Sequence, residues 1–421
     1  MSTRAGIVVT GTEVLTGRVT DRNGPWLAEQ LRRYGVDVAH VVVVGDRPAD
    51  LQSALGFLRG SGVDLIVTSG GLGPTADDLT AEVVGVFQGR PSVLDPELEA
   101  TIAGIVERFA RGRGRHAEPG ATAAAVRKQA LVPEGATALA PVGTAPGLVV
   151  PPSGDGPPVV VLPGPPGELQ PMWPAALEHP AVHAALAGRA ELHQRTLRLW
   201  GTSEAELAAT LREHADHLDG LEITTCLRDG ELEIVTRFGA GQAAAYDAFA
   251  DVVTAAYPAT VFSTDGRTID EVVADTLLAG GLTIGTAESC TAGLLAGRIA
   301  DRAGSSAYLL GGLVTYSNEA KHALLGVPTE LIERVGAVSE EVAEAMAEGA
   351  RARLGCDVGV GVTGVAGPGG GTPDKPVGLV HLCAAGPRGR VARRVRLPGN
   401  RADVRGRAVV VALHLVRELL G

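Results

Sequence analysis

Apolar runs and helical spacings alternate along most of the chain. Ala5–Thr10, Val36–Val44 and Asp64–Ser69 are β-branched, nearly unbroken runs of the kind that form strands buried on both faces. Between them, Asn23–Tyr34 and Pro48–Arg59 carry apolar residues three and four apart, the spacing of a helix with one buried face. A further strand is expected at Pro158–Leu162. Such alternation predicts a parallel sheet covered on both sides. From about residue 171 the pattern changes. Arg195–Trp200, Leu221–Cys226 and Glu231–Phe238 read as strands, the last two joined through Arg228-Asp229-Gly230, an Asp-Gly hairpin signal. Ser203–Glu213 and Gln242–Ala256 read as their helices. After about Asp265 the alternation resumes. Strands are expected at Leu282–Gly285, Leu310–Tyr316, Asp357–Thr363, Gly378–Ala384 and Val391–Leu397, with helices at Thr291–Asp301, Glu340–Leu354 and Arg401–Leu420. The expected fold class is α/β: two three-layer α/β/α domains, residues 1–170 and 259–421, joined by a small α+β module over 171–258. The arginine-rich stretch Arg111–Arg115 is expected as an exposed loop.

Composition narrows the function classes. With 421 residues, 45% hydrophobic and 20% charged, the chain folds, and its length calls for two or three domains. A net charge of −11 argues against a general nucleic-acid binder, which needs a basic face, yet is compatible with a small phosphate ligand held by backbone amides. Four scattered cysteines without a Cys-x-x-Cys pair argue against a disulfide scaffold or structural zinc. No charged-then-apolar leader pattern opens the sequence, and no apolar run reaches the ~18 residues of a spanning helix. A cytoplasmic protein with small-molecule partners, and neither nucleic acid nor membrane, is expected.

The chemistry concentrates between Thr286 and Lys321. Ser289 ends a strand and precedes a helical run, which exposes a hydroxyl beside the free amides of a helix start. A serine needs a base, and Lys321 serves if burial lowers its pKa, as in serine–lysine hydrolases. Tyr316, five residues earlier, is placed to relay a proton or orient the amine. Taken singly, each has a plainer explanation: a helix cap, a core residue, a solvated lysine. Downstream, Gly361–Gly371 is a flexible Gly-rich loop with amides open to an anion, and Lys375 adds positive charge; the Walker spacing is missing. In the first region the informative loops lie at the carboxyl ends of strands. They are Gly11-Thr12-Glu13, Gly45-Asp46, Ser69–Asp78 and Leu162–Glu168. Gly70–Thr75 offers amides to phosphates, and Asp46, Asp77 and Asp78 could hold a hard cation, the alternative being that Asp77 and Asp78 only cap the helix beginning at Leu79.

The segments Thr286–Gly293, Ala303–Ser306, Val314–Lys321, Gly336–Ser339 and Thr363–Gly378 closely resemble the CinA C-terminal domain, the nicotinamide mononucleotide deamidase family. The resemblance implies hydrolysis of the nicotinamide carboxamide to nicotinic acid mononucleotide and ammonia. Ser289 would be the nucleophile and Lys321 and Tyr316 its activating pair, with no cofactor required. Thr286, Glu288, Thr291, Gly364, Gly367, Gly369 and Lys375 are then expected to bind substrate. Ala292 departs from the family, which often has a glycine there. Gly11–Glu13, Asn23, Gly45-Asp46 and Gly70–Asp78 resemble the CinA N-terminal domain, itself similar to molybdopterin-binding domains of the MoaB and MogA kind. Lys128–Ala130, Pro133–Ala136 and Gly143–Gly147 match as well. That resemblance implies a metal-dependent ADP-ribose pyrophosphatase, with Mg²⁺ or a similar divalent ion at Asp46, Asp77 and Asp78. Gly11, Glu13, Asn23, Gly70, Gly71, Gly73 and Thr75 would bind the ligand. The middle module is expected to be KH-like without an RNA-clamping Gly-x-x-Gly loop, and the family implies a homodimer. Two alternatives stay open: a nucleotide-diphosphate hydrolase with a degenerate deamidase domain, and a pterin- or nucleotide-binding protein without turnover.

Overall fold

The computed structural model describes residues 3–113, 119–215 and 218–421. It divides into two compact units, Met1–His193 and Gln194–Gly421. In the first, strands β1 (Arg4–Thr10), β2 (Asp37–Val44), β3 (Leu65–Ser69), β4 (Thr137–Leu139), β5 (Gly147–Val150) and β6 (Val159–Leu162) form one sheet. Its order is β2-β1-β3-β6-β5-β4. β2, β1, β3 and β6 run parallel and the last two pairings are antiparallel. Alternate residues of β1 feed different cores. Ile7 and Val9 pack with Leu27 and Leu31 of helix α1 (Asn23–Arg33), whereas Val8 packs with Leu51, Leu55 and Leu58 of α2 (Pro48–Gly60). The sheet is therefore covered on both faces, as the unbroken apolar runs predict.

The second unit holds two sheets. Strands β7 (Leu192–Trp200), β8 (Leu221–Arg228), β9 (Glu231–Gly239) and β10 (Val261–Ser263) form the small one, in order β8-β9-β7-β10. The β8–β9 hairpin turns at Asp229, with φ 54, and Gly230. The larger sheet contains β11 (Ile284–Glu288), β12 (Leu309–Val314), β13 (Val358–Gly364), β14 (Leu379–Gly386) and β15 (Gly389–Arg396). Its order is β12-β11-β13-β14-β15, parallel over the first three and antiparallel thereafter. Val358, Val360, Val362, Val380 and Leu382 pack on one face with the long helix Arg401–Leu420. Ala287 packs on the opposite face with Val342 and Met346 of the helix Glu340–Leu354.

Two sequence expectations are corrected. Arg111–Arg113 belongs to a helix, Pro96–Arg113, because Leu98, Ile102 and Ile105 give its first three turns a buried stripe; Gly114 and Arg115 lie outside the described residues. The helix expected from Thr291 begins only at Leu294. Ala292 and Gly293 have φ of 50 and 93, left-handed values that cannot continue a right-handed helix. Among the described residues no helix is long and apolar enough to cross a membrane.

Candidate active site

Ser289 extends β11 by one ladder bond, its N–H donating to Val362 O at 2.9 Å. Next to it Thr315 donates its N–H to Glu288 O at 2.8 Å, which fixes where β12 ends. The chain then turns at Ser317, whose hydroxyl accepts from Ala320 N and caps the helix α3 (Asn318–Leu325). α3 carries Lys321 inward. Its side chain is 1% exposed, and Nζ lies 2.9 Å from Ser289 Oγ, 3.0 Å from Thr315 O and 3.3 Å from Tyr316 O. Burial lowers the Lys321 pKa below the ordinary lysine value, with Cys290 and Glu319 pulling it back up. Ser289 is 8% exposed. The neighbouring Cys290 is no rival nucleophile, since burial pushes its thiol up to about 11.

Tyr316 joins the site through its backbone. Its carbonyl accepts from Lys321, whereas its phenol, in a side chain 58% exposed, accepts from Arg401 Nη2 at 2.8 Å. The expected proton relay through the phenol is thus replaced by a carbonyl contact. Glu288 is also corrected. Its fully buried carboxylate accepts from Thr286 Oγ1 and from the N–H groups of Gly293, Leu295 and Ala296, so it caps the helix α4 (Leu294–Ala300) rather than facing substrate. Thr286 is spent on that cap. Thr291 is fully buried, and its Oγ1 has no partner among the described residues.

Of the Gly-rich loop residues, Gly364 is the last residue of β13, where a Cβ would stand 2.7 Å from Leu379 O; close packing explains it without a ligand. Gly367 O accepts from Arg401 Nη1 at 2.9 Å, and Gly369 borders open space. Lys375 Nζ donates to Val335 O at 2.7 Å, at the carboxyl end of the helix Thr329–Val335, so its charge anchors that helix instead of standing free in the loop. Sequence reasoning missed Arg401 and Arg405. They stand one helical turn apart on Arg401–Leu420, and Arg405 donates to Cys290 O at 3.0 Å and Thr291 O at 2.8 Å. Their spacing was the available signal.

In the first unit Gly11, Glu13, Asp46, Gly70, Gly71, Gly73, Thr75, Asp77 and Asp78 line one cleft of about 410 Å³. A Cβ at Gly70 would meet Thr10 O at 2.5 Å, and φ there is 106, so the loop turns tightly over the end of β1. Asn23 lines a neighbouring cleft of about 530 Å³; its Nδ2 ties Ser69 Oγ, at 2.8 Å, to Gly164 O, at 2.6 Å. Asp77 and Asp78 both accept from Thr75 Oγ1 at 2.5 Å, and Asp46 accepts from Thr12 N at 2.9 Å. Among the described residues no group of three His, Cys, Asp or Glu side chains could hold a metal ion. The three aspartates, as placed, serve the loops and do not fit a divalent ion. Glu168, missed as a site residue, lines the same cleft, and burial raises its pKa.

Residues 266–420 match the family described as "CinA C-terminal domain", and residues 6–184 that described as "Probable molybdopterin binding domain". A CinA-like protein of Mycolicibacterium vanbaalenii is 58% identical over 425 residues, covering 100% of this chain and 99% of the relative. One from Mycobacterium tuberculosis is 54% identical over 427 residues, covering 100% and 98%. Among solved structures, the competence/damage inducible protein CihA from Agrobacterium tumefaciens is 42% identical, covering 38% of this chain and 99% of its own, with a TM-score of 0.35. With full-length relatives of that identity, and an N-terminal molybdopterin-binding-type domain preceding a CinA C-terminal domain, the chain belongs to the CinA-like family.

Proposed function

We propose that the second unit hydrolyses the carboxamide of nicotinamide mononucleotide to nicotinic acid mononucleotide and ammonia. The observation that carries the chemistry is the buried 2.9 Å contact between Lys321 Nζ and Ser289 Oγ, with two backbone carbonyls around the same nitrogen. A neutral lysine has two N–H bonds and one lone pair. The carbonyls of Thr315 and Tyr316 take the N–H bonds, which leaves the lone pair facing the serine hydroxyl. The substrate rests on the family resemblance; the nucleophile and base rest on this geometry.

The reaction then balances in two halves. Ser289 Oγ attacks the carboxamide carbon as its proton passes to Lys321 Nζ. The lysine returns that proton to the departing nitrogen, ammonia leaves, and an ester to Ser289 remains. Water attacks the ester carbon while giving a proton to Lys321, which passes it back to Ser289 Oγ as the acid departs. The test is a product assay on the purified chain. Ammonia and nicotinic acid mononucleotide should appear in equal amounts; no release of either overturns the reading.

The same geometry sets the pH dependence. Only the neutral amine acts as base, so kcat/KM should rise with pH and level off above the lowered Lys321 pKa, earlier than an ordinary lysine would allow. Tyr316→Phe should leave that limb in place, because the carbonyl rather than the phenol touches the amine. A limb displaced in the phenylalanine variant would restore the relay.

A second reading concerns the first unit. Its cleft, walled by the Gly70–Gly73 turn, is consistent with binding a phosphate-bearing nucleotide or pterin, and ADP-ribose cleavage is the activity its family resemblance implies. As placed, Asp46, Asp77 and Asp78 are bonded to Thr12 and Thr75 and do not fit a divalent ion. Calorimetry with ADP-ribose, with and without Mg²⁺, alongside a product assay separates binding from turnover.

A further inference from the structure

We propose that Glu288 is a positioning residue for the amidase chemistry, holding the turn Cys290–Gly293 in the shape that presents Ser289 and the amides after it. This rests on the serine–lysine reading above. The carboxylate is fully buried and all its bonds are local to the turn. Oε2 accepts from Gly293 N at 2.9 Å and Leu295 N at 3.1 Å; Oε1 accepts from Ala296 N at 2.8 Å and Thr286 Oγ1 at 3.0 Å. Each backbone bond spans five to eight residues, so together they cinch the start of α4 back onto the end of β11. Ser289 is the first residue inside the loop so closed.

The loop needs cinching because it is strained. Ala292 holds φ 50, a left-handed value that its Cβ disfavours. The Arg405 guanidinium draws the carbonyls of Cys290 and Thr291 towards itself. Peptide planarity then turns the Ala292 N–H away from Arg405, and among the described residues it has no acceptor. An amide so placed, beside the nucleophile, is a donor for the oxyanion of the attacked carboxamide. Glu288, through the N–H groups that follow the turn, and Arg405, through the carbonyls within it, thus set its direction together, and Glu288 does so without touching substrate.

Glu288→Gln tests this, since the amide offers one acceptor oxygen where two are needed and turns an NH₂ group towards backbone N–H donors. Misplacing the turn should lower kcat by about 10²-fold with KM nearly unchanged. The Lys321 pH limb should stay where it is. Ala292→Gly, which removes the strain the cap works against, should restore much of the lost kcat in the Glu288→Gln background. Thr286→Val, which removes one of the four bonds, should give a smaller loss of the same kind and serves if the glutamine variant does not fold. Unchanged kcat in both the Gln and the Val variants overturns the proposal, as does a loss carried mainly by KM and unrelieved by Ala292→Gly. Wild-type turnover with both variants undisturbed sinks this inference and leaves the amidase reading standing; an inactive wild type sinks both.

Discussion

Ser289→Ala is expected to lower ammonia release from nicotinamide mononucleotide by about 10⁴-fold or more, the scale on which hydrolases lose rate when the nucleophile is removed. The substitution deletes one oxygen. The backbone ladder that places the residue, Ser289 N to Val362 O at 2.9 Å, does not involve the side chain, so the turn and sheet should persist. Lys321 keeps its two carbonyl partners and loses the group it activates. The deficit should therefore fall on kcat with little change in KM or in thermal midpoint. Intact-protein mass spectrometry adds a second readout, because the wild type stopped during turnover should carry the nicotinoyl-nucleotide mass on Ser289 and the alanine variant should not. Turnover unchanged in the variant would falsify the mechanism. ADP-ribose cleavage, if present, should be untouched by this change, since its cleft lies in the other unit.

The sheets were legible because their signal is local. The nearly unbroken apolar run Ala5–Thr10 and the valine–glycine alternation of Val358–Val362 describe strands buried on both sides, and the β8–β9 hairpin announced itself through Asp229-Gly230. Ser289 and Lys321 were legible through the motif they share and through their placement at strand ends, and the structure brings them together across 32 residues. The remaining assignments depend on contacts that a sequence does not order. Glu288 looks like a site residue by position, yet three of its four acceptor bonds go to a helix start and the fourth to Thr286. Lys375 looks like a free charge beside a Gly-rich loop, yet it is drawn to Val335 O, 40 residues away in sequence. Tyr316 contributes a carbonyl, which any residue there would supply. Arg405 reaches the nucleophile turn from 114 residues further along the chain, a destination that its spacing from Arg401 does not convey. Side-chain type predicted which groups could act, whereas the competition between backbone and ligand for those groups was settled by packing.

Lys321→Met is expected to be as damaging to turnover as Ser289→Ala, and the two changes together no worse than either alone. A base and the nucleophile it activates work as one unit, so their effects do not add. Methionine matches the lysine stem in length and cannot accept a proton. For stability the two losses oppose each other: the carbonyls of Thr315 and Tyr316 lose a donor, while the cost of burying an ammonium disappears. The pH dependence separates these terms. Because burial lowers the folded-state pKa, between the folded and unfolded values the unfolded chain binds the proton that the folded chain has released. The burial cost is then fully present below the folded pKa and relieved as pH rises towards the unfolded value of about 10.4. The difference in thermal midpoint, variant minus wild type, should therefore favour methionine most at low pH and shrink as pH rises through that window. A difference that stays flat through that window would mean that folding does not lower the Lys321 pKa. Full activity in the methionine variant would remove it as the base.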